Sequence, residues 1–232
     1  LLVKLINSKE KLSVQVHPGD EYAKKHEGSL GKTEAWYVID AKPGASLIVG
    51  TKPCNKVEFK KAAKEEKLED YLNVISVKKG DSFLIKSGLI HAICEGVIIA
   101  EIQQNSDITY RVYDYGRPRE IHIDKALDVS QLNLEAVNLS DKPLTQFEGY
   151  SQGELCRSDY FVIEKFIIDN YVGTSNEDYF EIITAVEGNG IIEGQNYMEA
   201  LSKGDSYLIP ASLGDYQIQG EVVVLRSYHV VY

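Results

Sequence analysis

Three short segments carry the residue types of one metal site: Gln15-Val16-His17, Lys32-Thr33-Glu34 and Ser87-Gly88-Leu89-Ile90-His91. Two imidazoles, a carboxylate and an amide oxygen form a hard-to-borderline donor set that suits zinc, and also manganese, iron or nickel. Held with an open position, such an ion acts as a Lewis acid, so Gln15, His17, Glu34 and His91 make the chain an enzyme candidate. Taken singly, each of these residues is more often an ordinary surface or core-edge residue; the combination carries the reading. Cys54, Cys94 and Cys156 are widely spaced and form no C-x-x-C pattern, which suggests neither a thiolate site nor a disulfide framework and fits a reducing cytoplasm.

The elements that must hold these residues are strands. Leu12, Val14 and Val16 alternate with Ser13, Gln15 and His17, so a strand here puts Gln15 and His17 on one face and the apolar set on the other. Glu34 opens the run Ala35 to Ile39, and His91 follows a Ser-Gly turn after another apolar run, placing each ligand candidate at a strand end, where ligand sites collect. β-branched and aromatic runs at 45–50, 73–77, 82–86, 97–103 and 108–113, separated by turn residues, predict an antiparallel sandwich or barrel. Two stretches break the pattern: Asn55 to Leu72 and the shorter Asp20 to Glu27 read as helices. Residues 138–153, rich in Ser, Pro, Asp and Gly, read as a linker between domains at 1–137 and 154–232.

An internal repeat supports two copies of one β-unit. Residues 79–88, KGDSFLIKSG, align without a gap on 203–212, KGDSYLIPAS, an offset of 124 (203 less 79). His91 then falls opposite Asp215, so the second copy lacks the imidazole. A looser match pairs residues 34–40 with 181–187, and no His-x-His or Gln-x-His precedes Glu181, so the second domain is expected to be metal-free and structural.

With 232 residues, 44% of them hydrophobic, the chain can bury a substantial core. A net charge of -10 without a Lys/Arg stripe argues against nucleic acid or an anionic membrane as partner. No apolar run nears the length of a membrane span and no signal peptide opens the chain, so a cytoplasmic protein, monomer or homodimer, is expected. Leu1-Leu2-Val3 already reads as strand interior, which suggests that residues precede it.

The run from Gly80 to His91 resembles the second cupin motif, with Gln15-Val16-His17 and Glu34 as the first. The blocks LSVQVHP (12–18), GKTEAWY (31–37) and EIQQNSDITYRVYDY (101–115) are similar to those of type I mannose-6-phosphate isomerases in their short bacterial form. That resemblance covers the first 125 or so residues strongly. It implies a mainly β fold of two cupin-type (jelly-roll) β-barrels with a small helical insertion in the first. It further implies zinc, one Zn2+ per chain, on Gln15, His17, Glu34 and His91, and a zinc-dependent isomerase interconverting mannose 6-phosphate and fructose 6-phosphate through a cis-enediol. Arg111 and Lys32 fall on the family's catalytic arginine and lysine, and Lys4 on a lysine of the strand before the Q-x-H block. Lys86 departs from the family, which usually has proline there, and the family's amino-terminal segment is not in this sequence.

The chemistry asks for stabilisation of an enediolate, which suits Arg111 for enediolate or phosphate and Lys32 for proton transfer or ring opening. Lys4, Lys32, Arg111 and Glu101 are the expected contacts to a small-molecule sugar phosphate, Glu101 also reaching the residues around the metal. The ordinary alternatives are a solvated Lys32, an Arg111 paired to Asp107 or Asp114, and an edge-strand Lys4. A non-catalytic metal- and sugar-binding or regulatory cupin is the rival function, and a cupin oxygenase or epimerase a third. His26 and His122 read as surface residues, His229 as core-edge packing.

Overall fold

Period-two alternation dominates the chain, and strands dominate the fold. The computed structural model describes residues 1–230, which divide into two compact units, Leu2–Asn138 and residues 139–230, with Leu1 outside the first.

The first unit contains β1 (Leu2–Asn7), β2 (Val14–Val16), β3 (Glu34–Ala41), β4 (Ser46–Thr51), β5 (Leu72–Ser76), β6 (Ser82–Ile85), β7 (His91–Ile93), β8 (Val97–Gln103), β9 (Tyr110–Tyr113) and β10 (Val137–Asn138). Its helices are α1 (Asp20–Glu27), α2 (Lys56–Lys64) and α3 (Ile123–Val129). Two antiparallel sheets form, in the orders β1-β8-β3-β6-β10 and β5-β4-β7-β2-β9. Both are open rather than closed into a barrel. A shared core lies between them, with Trp36, Val38, Phe83, Ile85 and Ile99 from one sheet meeting Leu47, Val49 and Ile93 from the other. The far face of the second sheet buries Val14, Val16, Ile48 and Val112 against Phe59 and Ala62 of α2 and Ala126 and Leu127 of α3.

The expected helix over 55–72 divides in two. Asn55 opens α2 with a capping box, its side chain accepting from the Val57 and Glu58 amides while Glu58 reaches back to the Asn55 amide. The helix stops at Glu65, Glu66 takes a positive φ of 58°, and a short 3-10 turn over Leu68–Tyr71 feeds β5. Leu68 and Leu72, expected in one helix with Val57, Ala62 and Ala63, still reach the core that Ala62 joins through that break, whereas Val57 is exposed. α3 has no counterpart in the sequence reading; its seven residues are too few to show a helical period.

The second unit contains β11 (Thr145–Phe147), β12 (Tyr150–Arg157), β13 (Phe161–Thr174), β14 (Glu181–Gly194), β15 (Tyr197–Ser202), β16 (Ser206–Ile209) and β17 (Asp215–His229). They form one sheet in the order β11-β12-β13-β17-β14-β15, with β16 on β14. The stretch 138–153 is therefore not a bare linker: β11 and the start of β12 pair within it, Phe147 stacking on Tyr150 at 4.9 Å. Asp141 and Gly149 lie in the turns on either side of β11, whereas Gly153 pairs inside β12.

The repeat recurs in the pairing. Glu34 faces Ile85 across β3 and β6, and Glu181 faces Ile209 across β14 and β16, the partners related by the same offsets as the sequences. Lys4 faces Glu101 across β1 and β8, while Glu164 faces Arg226 across β13 and β17, so the charges of this pair are exchanged.

Candidate metal centre

Strand order explains how distant segments meet. β2 lies between β7 and β9, so Gln15 stands directly opposite His91 on one side and Arg111 on the other. Directly opposed residues project to the same face of a sheet, giving a row His91, Gln15, Arg111, with His17 just past the end of β2. Glu34 enters from the facing sheet as the first residue of β3.

Two turns fix this arrangement. Gly31, just before Lys32, packs so closely on the chain entering α1 that a Cβ would lie 2.5 Å from the Asp20 nitrogen, and its own amide donates to Asp20 Oδ1 at 2.7 Å. Gly88 has a φ of +87° and its amide donates to the His17 carbonyl at 2.9 Å, tying the turn before His91 to the end of β2. That turn closes with Lys86 in place of proline: the Leu89 amide donates to the Lys86 carbonyl at 3.1 Å.

The three charged or imidazole members converge. Ligand atoms of His17, Glu34 and His91 all lie within 4.8 Å of one another, and all three residues are at most 1% exposed. His17 Nε2 is 3.5 Å from Glu34 Oε2, and His91 Nε2 is 3.5 Å from Glu34 Oε1. Each ring is oriented from behind. His17 Nδ1 donates to the Ile108 carbonyl at 2.8 Å and His91 Nδ1 to the Leu89 carbonyl at 2.9 Å, a tautomer that turns both Nε2 lone pairs toward the carboxylate. Burial first, then the charge of Lys32, holds the His17 pKa well below its usual value; burial pushes that of His91 down to about 4.

These atoms fit a cation. His17 Nε2 and both Glu34 carboxylate oxygens are buried without a hydrogen-bond partner, an arrangement a folded protein rarely tolerates unless something else supplies the bond. Two neutral imidazole nitrogens and a carboxylate suit a divalent metal. Gln15 stands beside them: its amide nitrogen lies 3.3 Å from His91 Nε2, and rotating the amide by half a turn presents the oxygen there instead.

Beyond the donors runs a line of alternating charges. Lys32, 5% exposed, places its ammonium 2.9 Å from Glu34 Oε2 and 4.0 Å from Glu101 Oε1. Lys4 Nζ is 3.0 Å from Glu101 Oε1 and donates to Gln103 Oε1 at 2.6 Å. Lys32 is thus no solvated turn residue and Lys4 no bare edge-strand charge. Burial, reinforced by the Glu34 carboxylate, raises the Glu101 pKa. Arg111 pairs with neither Asp107 nor Asp114: its Nη1 donates to the Glu120 carbonyl at 2.9 Å, and its Nε is buried without a partner.

Sequence reasoning missed Trp36, Gln103 and His122. Trp36 donates Nε1–H to Glu101 Oε2 at 3.2 Å and sets its ring edge against His91 at 5.5 Å, linking two parts of the site. Its signal was present, because Trp36 lies two residues from Glu34 on one strand face. Gln103 gives its amide hydrogens to the Gln104 and Ser106 carbonyls, at 2.8 Å each, which frees its oxygen for Lys4. His122 accepts from the Arg111 amide at 3.3 Å rather than lying idle at the surface, whereas His26 is exposed and stacks on Tyr22 at 4.1 Å. His229 is exposed rather than packed at a core edge.

In the second unit Glu181 and Asp215 stand where the repeat places Glu34 and His91. Asp215 is exposed and accepts from Thr174 Oγ1 at 2.6 Å. Glu181 is 3% exposed, but Arg226 Nη1 lies 3.6 Å from its Oε1 and Tyr216 Oη donates to its Oε2 at 3.5 Å.

Comparison with known proteins bears on both units. A family model described as "Mannose-6-phosphate isomerase, cupin domain" matches residues 151–229. The probable mannose-6-phosphate isomerase GmuF of Bacillus subtilis is 38% identical over 236 residues, 98% of this chain and 74% of that protein. The mannose-6-phosphate isomerase ManA of the same organism is 36% identical over 238 residues, with the same shares covered. The crystal structure of a mannose 6-phosphate isomerase from Bacillus subtilis superposes with a TM-score of 0.90 at 35% identity, covering 97% of this chain and 74% of that one. No helix among the described residues is long and apolar enough to cross a membrane.

Proposed function

The chain belongs to the mannose-6-phosphate isomerase family, and from that premise we propose that it interconverts mannose 6-phosphate and fructose 6-phosphate, with one zinc ion held by Gln15, His17, Glu34 and His91. Both units are taken as cupin-type, the first (1–137) catalytic and the second metal-free. The observation that carries the reading is the buried meeting of the His17 and His91 Nε2 atoms with a Glu34 carboxylate whose only cationic neighbour among the described residues is the Lys32 ammonium, 2.9 Å from Oε2. Bound there, zinc supplies Lewis-acid stabilisation of the negative charge that develops on the sugar oxygens.

The residues of the chain do the rest. Aldose-ketose isomerisation moves a proton between C1 and C2 through a cis-enediol, so the site must stabilise two charged oxygens and exchange a proton at carbon. Lys32 is the buried cation nearest the donors. Held between Glu34 and Glu101, it has little freedom to leave, and we assign it proton transfer or ring opening. Arg111 continues the row of His91 and Gln15 and keeps a planar donor fork with one buried Nε–H unused, which suits an enediolate or phosphate oxygen. Glu101 fixes Lys32 and Lys4 in line and is taken, with Lys4, as part of the sugar-phosphate contact surface. Solution partners are small molecules, in a cytoplasmic monomer or homodimer.

Arg111→Ala separates these roles. Turnover of mannose 6-phosphate should fall by orders of magnitude while zinc content stays at that of the parent protein; loss of zinc in the same variant would place Arg111 in the metal centre instead.

A further inference from the structure

Arg111 works only if its guanidinium is held, and the strand that carries it ends two residues later. The residues that follow, 114–122, form a loop folded around one buried carboxylate. Asp114 is 2% exposed and takes a bidentate bond from Arg119, Nε to Oδ2 and Nη2 to Oδ1, both at 2.6 Å. Arg117 adds Nη2 at 2.7 Å from Oδ1, its Nε donates to the Asp114 carbonyl at 3.1 Å, and its Nη2 donates to the Lys11 carbonyl at 2.8 Å. The chain reverses at Tyr115 and Gly116, both at positive φ, 54° and 79°. Placing a tyrosine there costs backbone energy that the paired carboxylate offsets.

The far end of the loop returns to Arg111. The His122 amide donates to the Arg111 carbonyl at 2.7 Å and His122 Nδ1 accepts from the Arg111 amide at 3.3 Å, so backbone and imidazole of His122 both bind the Arg111 peptide groups. Between these ends, the Glu120 carbonyl receives Arg111 Nη1 at 2.9 Å. Two of the three arginines in this stretch are therefore engaged on Asp114, and the third is aimed by the loop they brace.

We propose that Asp114 is a positioning residue for the isomerase reaction: its carboxylate, clamped by Arg119 and Arg117, shapes the 114–122 loop so that the Glu120 carbonyl holds the Arg111 guanidinium in its working orientation. The proposal rests on the isomerase reading given above. Asp114 touches no reacting atom, and its whole effect on catalysis passes through Arg111.

A double-mutant cycle tests that dependence on the zinc-loaded protein, at a temperature where every variant is folded by circular dichroism. Asp114→Asn should lower kcat/KM for mannose 6-phosphate by about ten- to a hundredfold, the scale of losing geometric placement of a catalytic group. In an Arg111→Ala background the same change should cost less than about twofold, because the group it positions is gone. Arg119→Lys, which keeps the charge and removes the fork, should act in the same direction to a smaller extent and serves if Asp114→Asn does not fold. Independently of turnover, the side-chain Nε–H resonance of Arg111 should show restricted motion in the parent protein and fast motion in Asp114→Asn. An unchanged kcat/KM in Asp114→Asn, equal losses in both backgrounds, or an Arg111 equally rigid in the two proteins would overturn the proposal. A parent protein without turnover would sink the isomerase reading instead, while the Arg111 resonance would still decide whether Asp114 positions it.

Discussion

Arg226→Met should destabilise the second unit by about 3–5 kcal/mol, the cost of removing one partner from a buried ion pair and leaving the other charges uncompensated. The side chains concerned are largely out of water: Arg226 is 16% exposed, Glu164 14% and Glu181 5%. The guanidinium gives Nη2 and Nε to Glu164 Oε2, at 2.7 and 2.9 Å, stands 3.6 Å from Glu181, and stacks over the Phe166 ring at 4.8 Å. Although burial pulls it down, the Arg226 pKa is raised by Glu164 and Glu181, and burial raises that of Glu181 despite Arg226. Without Arg226, two carboxylates face each other in a low-dielectric setting and one must take up a proton or draw in water. The triple change Arg226→Met, Glu164→Gln and Glu181→Gln removes the charges together and should recover most of the loss. Urea unfolding followed by circular dichroism measures this. With a slope of about 2 kcal/mol per molar, the single variant should move the midpoint of the second unit down by about 2 M. Zinc content should be unaffected in both variants. A single variant within about 0.5 kcal/mol of the parent, the range of ordinary surface substitutions, would show that Arg226 is not the internal cation of this unit.

Two further outcomes follow from the first unit. Glu34→Gln removes the charge between His17 and His91, so the variant, still folded by circular dichroism, should retain less than about a tenth of the parent's zinc after dialysis against a weak chelator, measured by atomic absorption. For Asp114, the Arg119 guanidinium holds the carboxyl pKa below its usual range, so its stabilising contribution is complete above about pH 4, the unfolded value, and declines as pH falls through the folded one. The difference in unfolding free energy between the parent and Asp114→Asn should therefore be constant from pH 7 to pH 5 and shrink below about pH 4; a difference that grows on acidification would reverse the sign of this linkage.

Much of the first unit's site was legible because period-two alternation fixes faces. Gln15 had to share a side with His17 once Val14 and Val16 went to the core, and they are fully buried against α2 and α3. α1 could be read over Asp20–Glu27, since its acidic first turn, basic last turn and Gly28 cap mark both ends locally. What escaped depended on contacts far apart in sequence. The order β7-β2-β9, which sets His91, Gln15 and Arg111 in one row, is a matter of pairing between segments some 75 to 95 residues apart and leaves no local trace. The family resemblance marked Lys32, but the residues alone left a solvated turn lysine open, because its two carboxylate partners come from β3 and from β8. The bounds of the long strands β13, β14 and β17 were not drawn from the sequence, since bulges after Ile168 and Ala185 shift the register and break the alternation midway. Arg226 drew no attention at all; its role shows only when its pairing with Glu164 is set beside that of Glu101 with Lys4.

The most direct test of the central claim is turnover of mannose 6-phosphate to fructose 6-phosphate by the chelator-stripped protein, assayed before and after one equivalent of zinc is restored. The expected result is no activity in the stripped protein and recovery with zinc at a stoichiometry of about one ion per chain. Zinc taken up at His17, Glu34 and His91 without turnover would contradict the isomerase assignment, and full activity in the stripped protein would contradict the metal centre.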